Sequence, residues 1–201
     1  MSENLVYLKS YHAPEVNKCE VLRYAGVRGK SPEMAELLES CIDEVRGKIA
    51  FKVCYREYDI RMLEGEVDLG FCTTSSASMI KTLEGCQKIV VFCATVGAQM
   101  DRMISRYSLV SPARSVMLQA LGSERVEALC DMFCSEIRSK IESVGGEITR
   151  RFSPGYGDLP LEVQRDVFRS LTPEYKIGVS LGLDLFMTPT KSVTAIIGIK
   201  M

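Results

Sequence analysis

The chain contains no tryptophan and a single histidine, His12, among its 201 residues. None of its eight cysteines forms a C-x-x-C pair, so the spacing typical of zinc ribbons and thioredoxin-like redox sites is missing. The G-x-G-x-x-G and P-loop patterns that hold nucleotides are missing too. His12 lies in a polar segment that contains a proline, which indicates a surface residue. These absences argue against zinc, dithiol and common nucleotide-binding chemistry.

Long apolar runs and a strong net charge are also lacking. No run approaches the roughly 18 residues that a membrane-spanning helix needs, and residues 1–4 lack the basic character that opens a secretory signal. The formal net charge is −1, so no overall field favours nucleic acid or an anionic membrane. We therefore expect a cytoplasmic protein that binds neither nucleic acid nor membrane.

The composition that remains is that of a globular protein. Apolar residues make up 46% of the chain and charged residues 25%, which is ordinary for a folded domain, and we expect residues 1–201 to form a single domain. Most cysteines fall on the apolar phase of predicted elements, where reduced cysteine packs as a small hydrophobe. Cys130 and Cys134 lie one helical turn apart, and with one histidine in the chain we interpret them as packing residues rather than a metal pair.

Helix signals are clearest after Ser31. Ser31 is a capping residue, Pro32 suits the first helical position, and Glu33 places an acid in the first turn. Apolar residues then recur at helical spacing until Gly47, which predicts the end of the helix. Four further helices are predicted: one ending at Leu83, one after Gly97, one from Ser111 to about Ser143 that Gly122 bends or splits, and one after Pro160.

Alternating apolar residues predict strands at residues 51–56 and 67–71, which we expect to pair with each other around a turn at Glu64 and Gly65. The continuous apolar run 89–94 predicts a strand that is buried on both faces. Residues 179–185 and 192–199 are the last two predicted strands. Because helices and strands alternate irregularly, we predict an α+β fold whose central sheet is mostly antiparallel or mixed and is flanked by helices.

The most informative segment for function is residues 151–158. Pro154 presets φ at the second position of a turn over residues 153–156, and Gly155 permits the positive φ that a type II turn needs at the third. Arg151 presents a planar guanidinium that binds a carboxylate or phosphate, and Tyr156 offers an aromatic face to a cation. This combination suits a small zwitterionic ligand. An ordinary surface loop has the same composition, so both interpretations stay open on these residues alone.

Three segments, in this order, resemble the activation (reactivation) domain of cobalamin-dependent methionine synthase. Glu127 falls on an E-A step of a family helix, residues 151–156 match the family's R-x-x-x-G-Y pattern for S-adenosylmethionine, and residues 187–194 are similar to its M-x-P-x-x-S-V-S segment. The resemblance covers residues 88–199 well and residues 1–87 only loosely.

The resemblance implies a domain that binds S-adenosylmethionine. Arg151 is then the partner of the ligand carboxylate, Gly155 permits close approach of the backbone, and Tyr156 stacks on the ligand or faces its cationic centre. Glu127 serves the positively charged end of the ligand or holds Arg151. The candidate binding residues are Glu127, Glu147, Arg151, Pro154, Gly155 and Tyr156.

The family's role implies a function in trans. Its domain presents S-adenosylmethionine to oxidised cobalamin, while a flavodoxin-like or ferredoxin-like protein supplies one electron. The sequence holds no homocysteine, folate or cobalamin module, so we expect an accessory subunit for a methionine synthase that lacks its own activation domain and holds the cobalamin. No nucleophile, metal site or general base stands out, and we expect no turnover by the isolated chain.

The sequence departs from the family at two places. It ends at Met201, before a segment that contributes a further tyrosine, and neither Asp43 nor Asp59 fits the family's ligand-binding aspartate. The alternative function is therefore an interaction module that gates a corrinoid protein without binding S-adenosylmethionine. An unrelated methyltransferase is disfavoured because a glycine-rich loop after an N-terminal strand is missing. Nucleic-acid binding is disfavoured because no basic cluster is present.

Overall fold

The structure is a computed structural model that describes residues 5–201. The prediction about a secretory signal fell on residues 1–4, which lie outside the described residues. The helices are α1 (Lys18–Tyr24), α2 (Pro32–Val45), α3 (Ala77–Thr82), α4 (Ala98–Val110), α5 (Pro112–Glu142), α6 (Val163–Leu171) and α7 (Pro173–Ile177). The strands are β1 (Tyr7–Ser10), β2 (Lys52–Asp59), β3 (Arg61–Leu63), β4 (Glu66–Asp68), β5 (Thr73–Thr74), β6 (Lys88–Thr95), β7 (Glu147–Ile148), β8 (Ser180–Leu181), β9 (Met187–Thr188) and β10 (Ser192–Lys200).

Five strands form the central sheet in the order β1-β2-β6-β10-β7, and each neighbouring pair is antiparallel. The middle strand, β6, is buried from Ile89 to Thr95, because β2 and β10 cover its edges and helices cover its faces. The predicted α+β class with an antiparallel sheet is therefore confirmed, and so is the strand that is buried on both faces. Strands β3-β4-β5 and β8-β9 form two small separate sheets.

Two apolar cores lie on opposite faces of the sheet, because successive side chains of a strand point to opposite sides. Phe92 of β6 belongs to a core built with α1, α2, α4 and α5, and its ring lies 4.8 Å from that of Phe133 on α5. Cys93, the next residue, belongs to a core built with α3, α6 and α7. The sheet thus separates two layers of helices.

The predicted pairing of residues 51–56 with 67–71 is wrong. β2 pairs with β1 and β6, whereas β4 pairs with β3 and β5. The physical reason is burial: β2 has buried side chains on both faces at Val53 and Cys54, so it lies inside the sheet beside β6, which is buried from Ile89 to Thr95. The predicted turn at Gly65 is present, but it joins the short strands β3 and β4.

The predicted strand over residues 179–185 is shortened to β8. The Gly182 N–H donates to the Phe186 carbonyl at 2.9 Å, and the Asp184 carboxylate accepts from the Phe186 N–H at 3.1 Å. These bonds close a tight hairpin that returns the chain as β9. Leu185 at its tip has a positive φ of 67°, a strained conformation for a leucine.

Gly122 does not split α5, which runs unbroken over 31 residues. A Cβ added there would lie 2.8 Å from Met100 Cγ and 3.0 Å from Lys191 Cγ. The glycine therefore lets α4 and the segment before β10 approach α5 closely. The helix predicted to begin at Ser31 is confirmed as α2, and the Ser31 hydroxyl accepts from the Met34 N–H at 3.4 Å.

The cysteines are all free thiols, and His12 is exposed. Within residues 5–201, no group of three or more histidine, cysteine, aspartate or glutamate side chains is arranged to hold a metal ion. No helix in that part of the chain is long and apolar enough to cross a membrane.

Candidate functional site

A cleft of about 340 Å³ lies between α5, α6, β10 and the segment that follows β7. Its walls include four of the candidate residues named from the sequence: Glu127, Arg151, Pro154 and Tyr156. Gly155 belongs to the same turn. The structure does not bring Glu147 to this cleft: Glu147 lies on β7, opposite Lys200 at the far end of β10.

The predicted turn is present. The Tyr156 N–H donates to the Ser153 carbonyl at 3.2 Å, and Gly155 has a φ of +88°, as the third position of a type II turn requires. A Cβ added at Gly155 would lie 3.2 Å from Leu161 Cδ1. The positive φ therefore favours glycine here, and an added Cβ would also crowd the Leu161 side chain.

Both ends of the segment are anchored. Phe152 exchanges two backbone hydrogen bonds of 2.8 Å with Ile196 of β10. Asp158 accepts from the Ser76 hydroxyl at 2.5 Å and from the N–H groups of Ala77 and Ser78 at 2.7 and 3.1 Å. These hydrogen bonds, that from Ser76 foremost, hold the pKa of Asp158 well below its usual range. The anchors fix Arg151 relative to the sheet.

Arg151 is the charged centre of the cleft. Its Nη2 donates to the Glu127 carboxylate and lies 3.4 Å from Asp131 Oδ1. Its Nη1 is buried and has no hydrogen-bond partner among the described residues. Burial disfavours the charged guanidinium, but Cys130, Glu127 and Asp131 outweigh it and raise the pKa of Arg151. Arg151 is therefore a cation whose buried Nη1 group has no acceptor among the described residues.

The rest of the wall combines buried polar groups with apolar ones. Gln164 donates through Nε2 to the Leu185 carbonyl at 3.2 Å, and its Oε1 lies 3.4 Å from the Thr194 hydroxyl. The Ser192 hydroxyl lies 2.8 Å from the Pro189 carbonyl oxygen. Tyr156 is 67% exposed, so its ring stands at the open side.

Sequence reasoning missed Gln164 and the anchoring role of Asp158. A signal for Gln164 exists, because it falls on the apolar stripe of α6 with Val167, Phe168 and Leu171, where a polar residue is out of place. No local signal marks Asp158, because its partners on α3 lie about 80 residues away in the chain.

Cys130 and Cys134 lie behind Arg151 and take no part in the cleft wall. Burial raises the pKa of both thiols, which keeps them protonated and unreactive near neutral pH. The cleft thus offers a cation, a carboxylate and an aromatic ring, with no activated nucleophile. Such a set is complementary in charge to a small zwitterion.

No family model matches the sequence, and a comparison with curated proteins finds no match. The fold, however, is similar to the crystal structure of the MetH reactivation domain bound to AdoHcy. The two agree with a TM-score of 0.69 over 96% of this chain and 78% of that chain, at 14% sequence identity. The chain has the reactivation-domain fold. The resemblance stated from the sequence is therefore confirmed for the fold.

In this reactivation-domain fold, the likeness is not confined to the C-terminal segments that carried the sequence resemblance. The match covers 96% of the chain, so it extends well into residues 1–87, where the sequence resembles the family only loosely. Apolar packing preserves such a region even when few individual residues are kept, because many combinations of apolar side chains fill the same core.

Proposed function

We propose that this chain binds S-adenosylmethionine in the cleft and presents it to cobalamin held by a partner methionine synthase, as an accessory activation subunit. The observation that carries the proposal is the buried Nη1 of Arg151, which has no partner among residues 5–201. A buried donor without an acceptor costs about 1–3 kcal/mol, and a ligand carboxylate removes that cost. The fold adds support, since the similar MetH domain was crystallised with AdoHcy.

Each charged end of the ligand has a matching group in the cleft. Arg151 receives the carboxylate through Nη1, because its Nη2 is already held by Glu127. Glu127 is 41% exposed at its side chain, so it keeps acceptor capacity for the ligand ammonium. Tyr156 places an aromatic face at the open side, where it stabilises the cationic sulfonium. When bound, S-adenosylmethionine supplies an electrophilic methyl group, and this chain orients it.

The rim of the cleft supplies a surface for the partner. Leu183 and Phe186, on the hairpin between β8 and β9, are 91% and 75% exposed. The hairpin adjoins the cleft because Gln164, a wall residue, bonds to its Leu185 carbonyl. Exposed apolar side chains grouped beside a binding site mark a contact surface. We assign this rim to the cobalamin-binding partner, with the electron donor acting as a separate protein.

Titration calorimetry with S-adenosylmethionine and AdoHcy tests the ligand. We expect the wild-type chain to bind both, and Arg151→Gln to lose at least about tenfold in affinity, since a charge-assisted hydrogen bond contributes about 1.5–3 kcal/mol. The control is Arg150→Gln, which removes the same charge from the neighbouring exposed residue and should bind normally. Absence of binding, with and without a cobalamin-loaded partner, would sink the proposal.

A second experiment separates presentation of the ligand from simple docking. In the double variant Leu183→Ser, Phe186→Ser, we expect weaker association with a cobalamin-loaded methionine synthase and unchanged affinity for S-adenosylmethionine. If the wild-type chain binds the partner but never the ligand, the exposed rim is its working surface. The chain is then an interaction module that gates a corrinoid protein.

A further inference from the structure

A second cavity, of about 550 Å³, is larger than the Arg151 cleft and shares none of its lining residues. Its walls are the N-terminal segment 10–16, the end of α2 and residues 49–52. The volume falls in the range of about 300–1,000 Å³ that is usual for small-molecule sites. The proposed function does not use this cavity.

The interior of the cavity is apolar and firmly held. Val45 and Phe51, both buried, form part of its wall. Arg125, also buried, lies behind the N-terminal segment and donates to the carbonyls of Pro14 and Glu15 at 2.6 and 2.8 Å. These bonds tie the segment to α5, so that the cavity is present before any ligand arrives.

The opening of the cavity is basic. Arg46, Lys52 and His12 all line it and are exposed, whereas Glu15 is the one acidic residue among the described residues of the lining. Arg46 also contacts Asp43, at 3.0 Å between Nη2 and Oδ1, but that pair is itself largely exposed, and such pairs contribute little. An apolar interior behind a cationic opening is complementary to a molecule with an apolar body and an anionic head.

We propose that this cavity binds an amphipathic carboxylate, with its hydrocarbon body against Val45 and Phe51 and its head between Arg46 and Lys52. Octanoate and decanoate are suitable probes, and octanol is the neutral analogue. Each added methylene should strengthen binding about fourfold, because burying one contributes about 0.8 kcal/mol. Octanoate should bind more tightly than octanol, since only the acid carries the matching charge.

Titration of the full chain with these probes, followed by calorimetry and by amide chemical shifts, tests the proposal. We expect the shifts to change around Val45 and Phe51. In the double variant Arg46→Gln, Lys52→Gln, the affinity for octanoate should fall about fivefold while that for octanol stays the same. The matched control, Arg28→Gln with Lys30→Gln, removes the same charge from exposed residues outside the cavity and should leave both affinities unchanged.

Three results would overturn the proposal. The first is the absence of decanoate binding to the folded wild-type chain. The second is a set of shift changes centred on the Arg151 cleft instead of this cavity. The third is equal affinity for octanoate and octanol, which would remove the role of the basic opening. The first and third results leave binding of S-adenosylmethionine untouched, because the two sites share no lining residue among residues 5–201.

Discussion

Helix α5 takes part in two arginine–glutamate pairs, Glu124 with Arg125 and Glu127 with Arg151. In the first pair both side chains are nearly inaccessible, at 5% and 2% exposure, whereas in the second they are 41% and 27% exposed. Arg125 has every polar nitrogen engaged, by Glu124 and by two backbone carbonyls. Arg151 keeps Nη1 without a partner in the described part of the chain.

The difference shows how the same two residue types serve different purposes. A buried pair with all its hydrogen bonds made stabilises the fold, because removing one member leaves the other as an uncompensated charge. A half-exposed pair with an unpaired donor can still form a hydrogen bond to a ligand. The presence of an ion pair alone does not distinguish the two roles. What distinguishes them is whether all the hydrogen bonds of the arginine are made.

The largest effect on the free energy of unfolding is expected at the buried pair of Glu124 and Arg125. Arg125→Ala leaves the carbonyls of Pro14 and Glu15 without their side-chain donor, and it leaves the buried Glu124 carboxylate without its cation, with the Asn17 N–H as its remaining donor. The free energy of unfolding should therefore fall by about 3–5 kcal/mol. Urea unfolding measures this change. Arg138→Ala, at an exposed position of the same helix, is the control and should change stability by less than about 0.5 kcal/mol. A loss below about 1 kcal/mol in Arg125→Ala would remove the contrast between the two pairs.

A smaller loss of stability is expected when Gly155 is replaced in the turn that carries the site. Gly155→Ala forces a Cβ into a conformation with φ of +88° and against Leu161, which should cost about 1–2 kcal/mol. The matched control is Gly65→Ala, where φ is +75° but no atom lies within 4 Å of the added Cβ. Thermal unfolding of both variants isolates the contact with Leu161. Equal losses would mean that the contact is absent.

Replacement of Arg151 by methionine sharpens the comparison further. The change removes the hydrogen bond to Glu127 but also removes the buried, unpartnered nitrogen. These contributions oppose each other, so the free energy of unfolding should change by less than about 1 kcal/mol, while binding of S-adenosylmethionine is lost. Urea unfolding measures the free energy of unfolding, and calorimetry measures binding of S-adenosylmethionine. A destabilisation as large as that of Arg125→Ala would mean that Arg151, like Arg125, serves mainly to stabilise the fold.

The smallest effect on stability is expected at Asp158, and it shrinks in acid. Its pKa is lowered in the folded chain by hydrogen bonds from Ser76 and the start of α3. Its contribution is therefore complete above the unfolded pKa of about 3.9 and is lost as the pH falls through the lower folded value. The melting temperature of Asp158→Asn should accordingly depend less on pH below about 4 than that of the wild type. Identical profiles would contradict this anchoring role.

Local patterns predicted much of this molecule. The capped helix after Ser31, the fully buried strand at residues 89–94 and the turn around Gly155 depend on near neighbours in the chain, and all three are present. Strand pairing was mispredicted for residues 51–56, because a strand that is buried on both faces belongs in the central sheet beside β6, and its partner there lies far away in the sequence. That information is distributed over the whole sheet.

Within the cleft, the sequence predicted the charged and aromatic wall residues better than the residues that hold them in place. Arg151 and Tyr156 carry recognisable chemistry. Gln164 and Asp158 act through partners that are far away in the chain, and no spacing rule relates such residues. Glu147 was placed near the cleft by resemblance, but the pairing of β7 with the end of β10 carries it away.

Gly122 gives the cleft a dependence on a residue that does not touch it. A side chain there would press on Lys191, and the segment that contains Lys191 leads directly into Ser192, Val193 and Thr194 of the cleft wall. A larger residue at Gly122 is therefore expected to shift the segment that forms this wall. A substitution at Gly122 would therefore change the shape of the cleft wall without replacing any side chain that lines the cleft.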